Sequence, residues 1–275
     1  MTRERHAPAS PAERFSVCQH VLRLGDIRRD VAAALAAGAN GFSVNASDLG
    51  DVTVADAAAE IRDAGLAVTS YIDPSVMRLG PAAPDLDAVR RAAEDAATFG
   101  APAILFIAGA IGTDTVSDAD ARLVAALAAI GERIADTGVE PMLEPLHPIA
   151  RELSYVHTVR HAVDVVREAG VGGVVIDTGA SWWERHLVGE VVEHLDRVIA
   201  VQITGVRADE MSRRTYVREE CRNESEVPVG RIVRDLVAAG YDGWLEHEVL
   251  APFDPERRAE VLREDRAWFA ALFAG

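Results

Sequence analysis

Four short apolar runs in the second half of this 275-residue sequence end on side chains able to hold a cation or move a proton. MLEPLHP carries Glu144 and His147, VVIDTGASWW carries Asp177, AVQITG carries Gln202, and GWLEHEVL carries Glu246, His247 and Glu248. An ionised carboxylate set in apolar surroundings is costly unless it is paired or holds a metal. Several carboxylates facing one another also repel and raise one another's pKa. A shared divalent cation removes both costs. Oxygen-rich ligation without cysteine suits Mn2+ or Mg2+ more than a structural Zn2+. Taken singly, each acid reads more readily as the salt-bridge partner of a nearby arginine than as a ligand; the quartet of Glu144, Asp177, Gln202 and Glu248 together points to a metal. Strand alternation puts Glu246 and Glu248 on one face, so that one of them points deeper and pairs with a basic side chain, while His247 points outward as a structural residue. Trp182 and Trp183 read as packing residues or, directly after Asp177, as the floor of a sugar site.

These residues need a scaffold that brings strand ends together. One pattern recurs along the chain: an Ala-rich amphipathic stretch, a glycine, then a short β-type run, as in LAAG-ANGFSV, RDAG-LAVTSY, TFG-APAILFI, DTG-VEPML, REAG-VGGVVI and AAG-YDGWLE. Glycine just past a helix accepts the left-handed conformation that turns the chain into a strand. The repeat predicts βα units and a parallel sheet. Strands are expected near 15–18, 40–46, 67–72, 102–108, 139–144, 173–177, 198–204 and 243–249. Helices are expected near 27–37, 53–64, 85–99, 117–136, 155–169, 187–196, 229–239 and 255–273. Eight alternating pairs favour one closed (β/α)8 TIM barrel over residues 15–275, preceded by a flexible arm at 1–14. An open doubly wound sheet is the alternative, but the first βα loop carries no GxGxxG fingerprint. Barrel sites form at the carboxyl ends of the strands, where the quartet lies. The longest irregular stretch, Gly205 to Pro228, carries Arg207, Arg213, Arg214, Arg218 and Arg222. It reads as a lid over the site or as a solvated loop, and its arginines suit a phosphate or carboxylate.

A formal net charge of −16 disfavours a phosphate backbone, so no nucleic-acid partner is expected. Cys18 and Cys221 are far apart and outside any metal-binding spacing, and they read as free thiols in a reducing cytosol. No uncharged run approaches eighteen apolar residues, so neither a membrane span nor a membrane partner is expected, and the protein is read as cytoplasmic.

At Glu144-Pro-Leu-His147-Pro, Val175-Ile-Asp177-Thr with Trp182-Trp183, Val201-Gln202-Ile, and Gly240-Tyr-Asp-Gly-Trp-Leu-Glu-His-Glu248-Val, the chain resembles the sugar phosphate isomerase/epimerase family of xylose-isomerase-like barrels. The resemblance runs more loosely over nearly the whole chain. It implies a metal held by Glu144, Asp177, Gln202 and Glu248: Mn2+ or Mg2+, with Zn2+ or Co2+ as alternatives. It implies Glu144 and Glu248 as the catalytic pair that donates and accepts a proton next to a carbonyl, through a metal-stabilised enediolate. His147 then contacts substrate, with Trp183, Glu246 and Arg218 as further substrate-binding candidates. The expected activity is isomerisation or epimerisation of a sugar, cyclitol or related hydroxy-carbonyl compound, a small-molecule partner, by a homo-oligomer. The chain departs from the family pattern at Ala180, where a histidine is usual, at Gly205, where an aspartate is usual, and at Arg222-Asn-Glu-Ser-Glu, where a Gly-rich segment is usual. The first two positions would normally touch metal, its surroundings or substrate. Their change motivates a second reading: a lyase, dehydratase or cyclase using the same enolate chemistry. A barrel that binds a ligand without turning it over is the non-catalytic alternative, and an apurinic endonuclease is disfavoured by the scarcity of histidine.

Overall fold

The computed structural model describes residues 10–208, 216–223 and 226–274. Within them the apolar runs become β1 (Phe15–Cys18), β2 (Gly41–Asn45), β3 (Ala67–Ile72), β4 (Ala103–Ile107), β5 (Glu140–Glu144), β6 (Gly173–Asp177) and β7 (Val198–Ile203). A hairpin of β8 (Gly205–Ala208) and β9 (Tyr216–Glu219) follows, and then β10 (Trp244–His247). All but β8 and β9 pair side by side in the order β1-β10-β7-β6-β5-β4-β3-β2, and the ring closes. The expected TIM barrel is present.

The amphipathic stretches form α2 (Ile27–Ala37), α3 (Val54–Asp63), α4 (Leu86–Phe99), α5 (Val116–Ile134), α6 (Val159–Ala169), α8 (Leu187–Glu193), α9 (Val229–Ala238) and α10 (Pro255–Ala271). Two short helices, α1 (Gln19–Leu22) and α7 (Thr178–Ser181), sit directly on the ends of β1 and β6 and were not expected. Start signals are explicit: Asp26, Thr53, Asp85, Thr115, Thr158 and Asp254 each accept a hydrogen bond from a backbone N–H in the first turn. Thr158 is why α6 begins later than its hydrophobic pattern suggests. The apolar face of each helix packs on the strands, and the resulting core runs from Phe15 to Phe269.

Two segments differ from expectation. The charged stretch after β7 is not one irregular lid: its described part is an antiparallel hairpin in which Gly205 pairs with Glu219 and Val206 with Arg218. Arg213, Arg214, Glu224 and Ser225 lie outside the described residues. Of the arm expected at 1–14, residues 1–9 lie outside them too. Pro11–Glu13 form a single 3-10 turn, and Arg14 donates to the Tyr241 carbonyl at 2.8 Å.

The weakest seam in the ring is between β3 and β4, which pair only at Tyr71 and Ile104. On the mouth side the seam is covered by the chain after β3. Ile107 donates to the Met77 carbonyl at 2.8 Å and Leu79 donates to the Ile107 carbonyl at 2.9 Å. Gly109 makes this possible. Its φ is +76° and a Cβ there would sit 1.7 Å from the Leu79 carbonyl oxygen. Gly109→Ala is therefore expected to cost at least about 2 kcal/mol, from a strained φ and a backbone clash together. Urea unfolding monitored by tryptophan fluorescence checks this, and an unchanged midpoint would contradict it.

Candidate functional site

Register explains how residues distant in sequence meet. In β5, β6 and β7 the side chains of Met142, Val175 and Ala200 fill the barrel interior. Two residues further along each strand, on the same face, stand Glu144, Asp177 and Gln202. Glu144 is level with Ile107 of β4, Asp177 with Gln202, and Gln202 with Glu246. Glu248 follows β10 directly, its N–H donating to the Ile203 carbonyl at 3.0 Å.

Glu144, Asp177 and Glu248 converge: one carboxylate oxygen from each lies within 4.8 Å of the others, and all three side chains are buried. Asp177 Oδ1 accepts the Gly179 N–H at 2.8 Å, across the first turn of α7. Its Oδ2 lies 2.5 Å from an Arg218 guanidinium nitrogen, and the other terminal nitrogen is 3.6 Å from Glu248 Oε2. Glu248 Oε1 lies 3.1 Å from His20 Nε2. Glu144 has no ion pair among the described residues.

The surroundings split the three acids. Burial pushes the Glu144 carboxyl well above its usual range, the charges of Glu248 and Asp177 push it further, and Arg218 only partly opposes them. Burial also raises Asp177, to about 6, against the pull of Arg218. Burial acts on Glu248 in the same sense, but the His20 hydrogen bond and charge, with Arg218, outweigh it and hold Glu248 below the usual range.

Glu246 sits deeper. It is fully buried and accepts from Thr69 Oγ1 at 2.6 Å, Ser70 Oγ at 2.8 Å and Gln202 Nε2 at 3.4 Å. The deeper glutamate is thus met by hydroxyls and an amide rather than by the basic side chain expected. Because the Gln202 amide nitrogen is committed to Glu246, its oxygen is turned the other way, and Gln202 Oε1 is buried without a hydrogen-bond partner. An orphaned carbonyl oxygen beside three converging carboxylates fits a hard divalent cation.

His147 and the two tryptophans form an aromatic group: the His147 ring is stacked on Trp182 and edge-on to Trp183, each at 5.9 Å. Trp183 Nε1 donates to the Ala180 carbonyl at 3.0 Å, and its side chain is 36% exposed. His247 points away from the interior, as expected, with Nε2 3.0 Å from Asp265 on α10. His20 was not legible as a site residue in the sequence. Its signal was position alone, two residues past the end of β1. The Thr69–Ser70 cradle and the Asp265 contact had no sequence signal, since single hydroxyls and acids are common in strands and helices.

The Gly205 departure has a local cause. A Cβ there would lie 2.3 Å from the Glu220 carbonyl oxygen, so the hairpin requires glycine. Ala180 is buried in α7, and its carbonyl supports Trp183.

Residues 31–272 match the family model described as a xylose isomerase-like TIM barrel. None of the curated proteins matches the chain in sequence. Among solved structures, protein SMc04130 from Sinorhizobium meliloti 1021 superposes with a TM-score of 0.80 at 23% identity, covering 96% of this chain and 100% of that one. An L-ribulose 3-epimerase superposes at 0.75 and 18% identity, covering 94% of each. The IOLI protein with a bound zinc atom superposes at 0.72 and 12% identity, covering 94% of this chain and 98% of that one. At these identities the likeness is one of fold.

Proposed function

The chain belongs to the xylose isomerase-like TIM barrel family, and from that premise we propose that it is a divalent-metal-dependent isomerase or epimerase of a sugar, cyclitol or related hydroxy-carbonyl compound. The observation that carries this reading is the convergence of Glu144, Asp177 and Glu248 beside the partnerless Gln202 oxygen. These four would hold the ion, Mn2+ or Mg2+ by their all-oxygen chemistry, with Zn2+ or Co2+ as alternatives. When bound, the ion supplies Lewis-acid polarisation of a substrate carbonyl. The residues supply the proton traffic. Glu248, paired with His20 at 3.1 Å, accepts the proton from the carbon next to the carbonyl. Glu144 returns one. His147 and the exposed edge of Trp183 form the wall against which the substrate ring rests. Glu246 holds the Gln202 amide in register rather than touching substrate.

All 28 basic residues are arginine. Without a lysine, the chain has no side-chain amine for Schiff-base enolisation, which favours metal-assisted proton transfer. A small-molecule metabolite is the partner this mouth suits. Three buried acids and a net charge of −16 oppose a nucleic-acid substrate. No helix of the described residues is long and apolar enough to cross a membrane.

The test is metal analysis of the purified chain, followed by incubation of the Mn2+-loaded protein with a panel of ketoses and ketocyclitols in D2O. Deuterium incorporated at the carbon next to the carbonyl, with the carbon skeleton and water content of the substrate conserved, supports the reading. Loss of water from the substrate selects the dehydratase alternative. Absence of both metal uptake and deuterium exchange across the panel refutes it.

A further inference from the structure

We propose that Arg218 is a built-in competitor of the metal ion: its guanidinium lies where a cation shared by Asp177 and Glu248 would lie, and metal binds only by displacing it. This inference rests on the metal reading given above. It starts from the individual oxygens. Asp177 Oδ1 is committed to the Gly179 N–H and Glu248 Oε1 to His20. The oxygens left for a metal are Asp177 Oδ2 and Glu248 Oε2. Those are the two that face Arg218, at 2.5 Å and 3.6 Å. A metal ion coordinated at about 2.0–2.6 Å to the same oxygens would lie within contact distance of the guanidinium. Two cations in one low-dielectric space repel strongly, so one must leave.

The seat for Arg218 is built by the fold. The β8–β9 hairpin returns the chain to the barrel mouth and sets Arg218 opposite Val206. Gly179 then leaves the space that the guanidinium fills: a Cβ there would be 2.6 Å from an Arg218 terminal nitrogen and 3.0 Å from Cζ. A planar fork of donors suits two carboxylates from different strands, in a way that a lysine ammonium does not. The guanidinium neutralises part of the acidic cluster in the metal-free protein, which steadies that form of the barrel. The same contact lowers the apparent metal affinity by the fraction of molecules in which Arg218 is seated.

The experiment is a Mn2+ titration of the full chain, followed calorimetrically, for the wild type, Arg218→Met and Arg218→Lys, with thermal melts of each in the metal-free and Mn2+-saturated forms. Arg218→Met is expected to bind Mn2+ about tenfold tighter or more, and to melt lower than the wild type only when metal-free. Arg218→Lys, which keeps the charge but loses the fork, is expected to fall between them in affinity, and it carries the comparison should the methionine variant not fold without metal. If the wild type takes up Mn2+ and the folded variants bind it no more tightly, the competitor role is refuted and the metal reading stands. If neither the wild type nor any variant takes up Mn2+, both fall.

Discussion

Glu144→Gln is expected to weaken Mn2+ binding by more than about a hundredfold and to lower turnover by about a thousandfold, without unfolding the barrel. Loss of a mere supporting contact to a metal ligand costs about 10–100-fold, and Glu144 is proposed as a ligand itself. Removal of a positioned proton donor contributes about 10²–10⁴-fold in rate. The stability expectation runs the other way. Glu144 is buried beside Asp177 and Glu248 without an ion pair of its own among the described residues, so ionising it costs the metal-free protein energy. A neutral amide of the same size relieves that cost, and the metal-free variant should melt at or above the wild-type temperature. Glu248→Gln provides the contrast. It leaves His20 and Arg218 facing an amide, so it should lose metal and melt lower as well. Calorimetric titration and melts of the two variants check both expectations. Wild-type metal affinity in Glu144→Gln would remove this residue from the ligand set.

Asp265→Ala carries the largest expected effect on stability, about 3–5 kcal/mol. Asp265 is fully buried on α10, and both of its oxygens are used. Oδ2 accepts the Cys221 N–H at 2.9 Å and His247 Nε2 at 3.0 Å. Oδ1 accepts the backbone and guanidinium N–H groups of Arg222, each at 3.2 Å. One carboxylate therefore ties the end of the hairpin, strand β10 and the last helix together. Truncating it leaves His247 and two backbone donors without this acceptor and strips Arg222 of one of its carboxylate partners, Glu264 remaining. Burial alone would raise this carboxyl, but the His247 hydrogen bond and charge, with the Cys221 and Arg222 amides, outweigh it and hold the pKa below the usual value of 3.8. The sign follows from that depression. Asp265 stabilises the fold above the unfolded-state pKa, and this contribution is lost as pH falls through the lower folded-state value. Melting at neutral pH should drop by roughly 10 °C in Asp265→Ala. Below pH 3 the gap between variant and wild type should narrow; a gap independent of pH would mean that the carboxylate charge is not what holds these elements.

Both effects concern residues of similar sequence character, and the difference between them shows where sequence reasoning stops. Glu144 was legible because it ends an apolar run at a barrel strand terminus, where a carboxylate needs a reason. Asp265 lies in a helix crowded with charged residues, PERRAEVLREDRAWFAA, and no local pattern separates it from its solvated neighbours. Arg218 was singled out within a charged stretch, but its place opposite Val206 depends on a hairpin whose pairing the sequence pattern did not reveal. Glu246 was recognised as one of two glutamates on a face; its hydroxyl and amide partners come from β3 and β7, far away in the chain.

By itself the sequence determined the alternation of helices and strands and the placing of Glu144, Asp177, Gln202 and Glu248 at strand ends, while closure of the ring was decided by the structure. Periodicity and helix-end signals act over a few residues, and parallel strands repeat one geometry eight times. Only the tertiary structure decided which oxygen of each carboxylate is committed and to what: His20 from α1, Gly179 from α7, Arg218 from the hairpin, Thr69 and Ser70 from β3. Hydrogen bonds are set by distances of tenths of an ångström between segments remote in the chain, and no local preference encodes those distances.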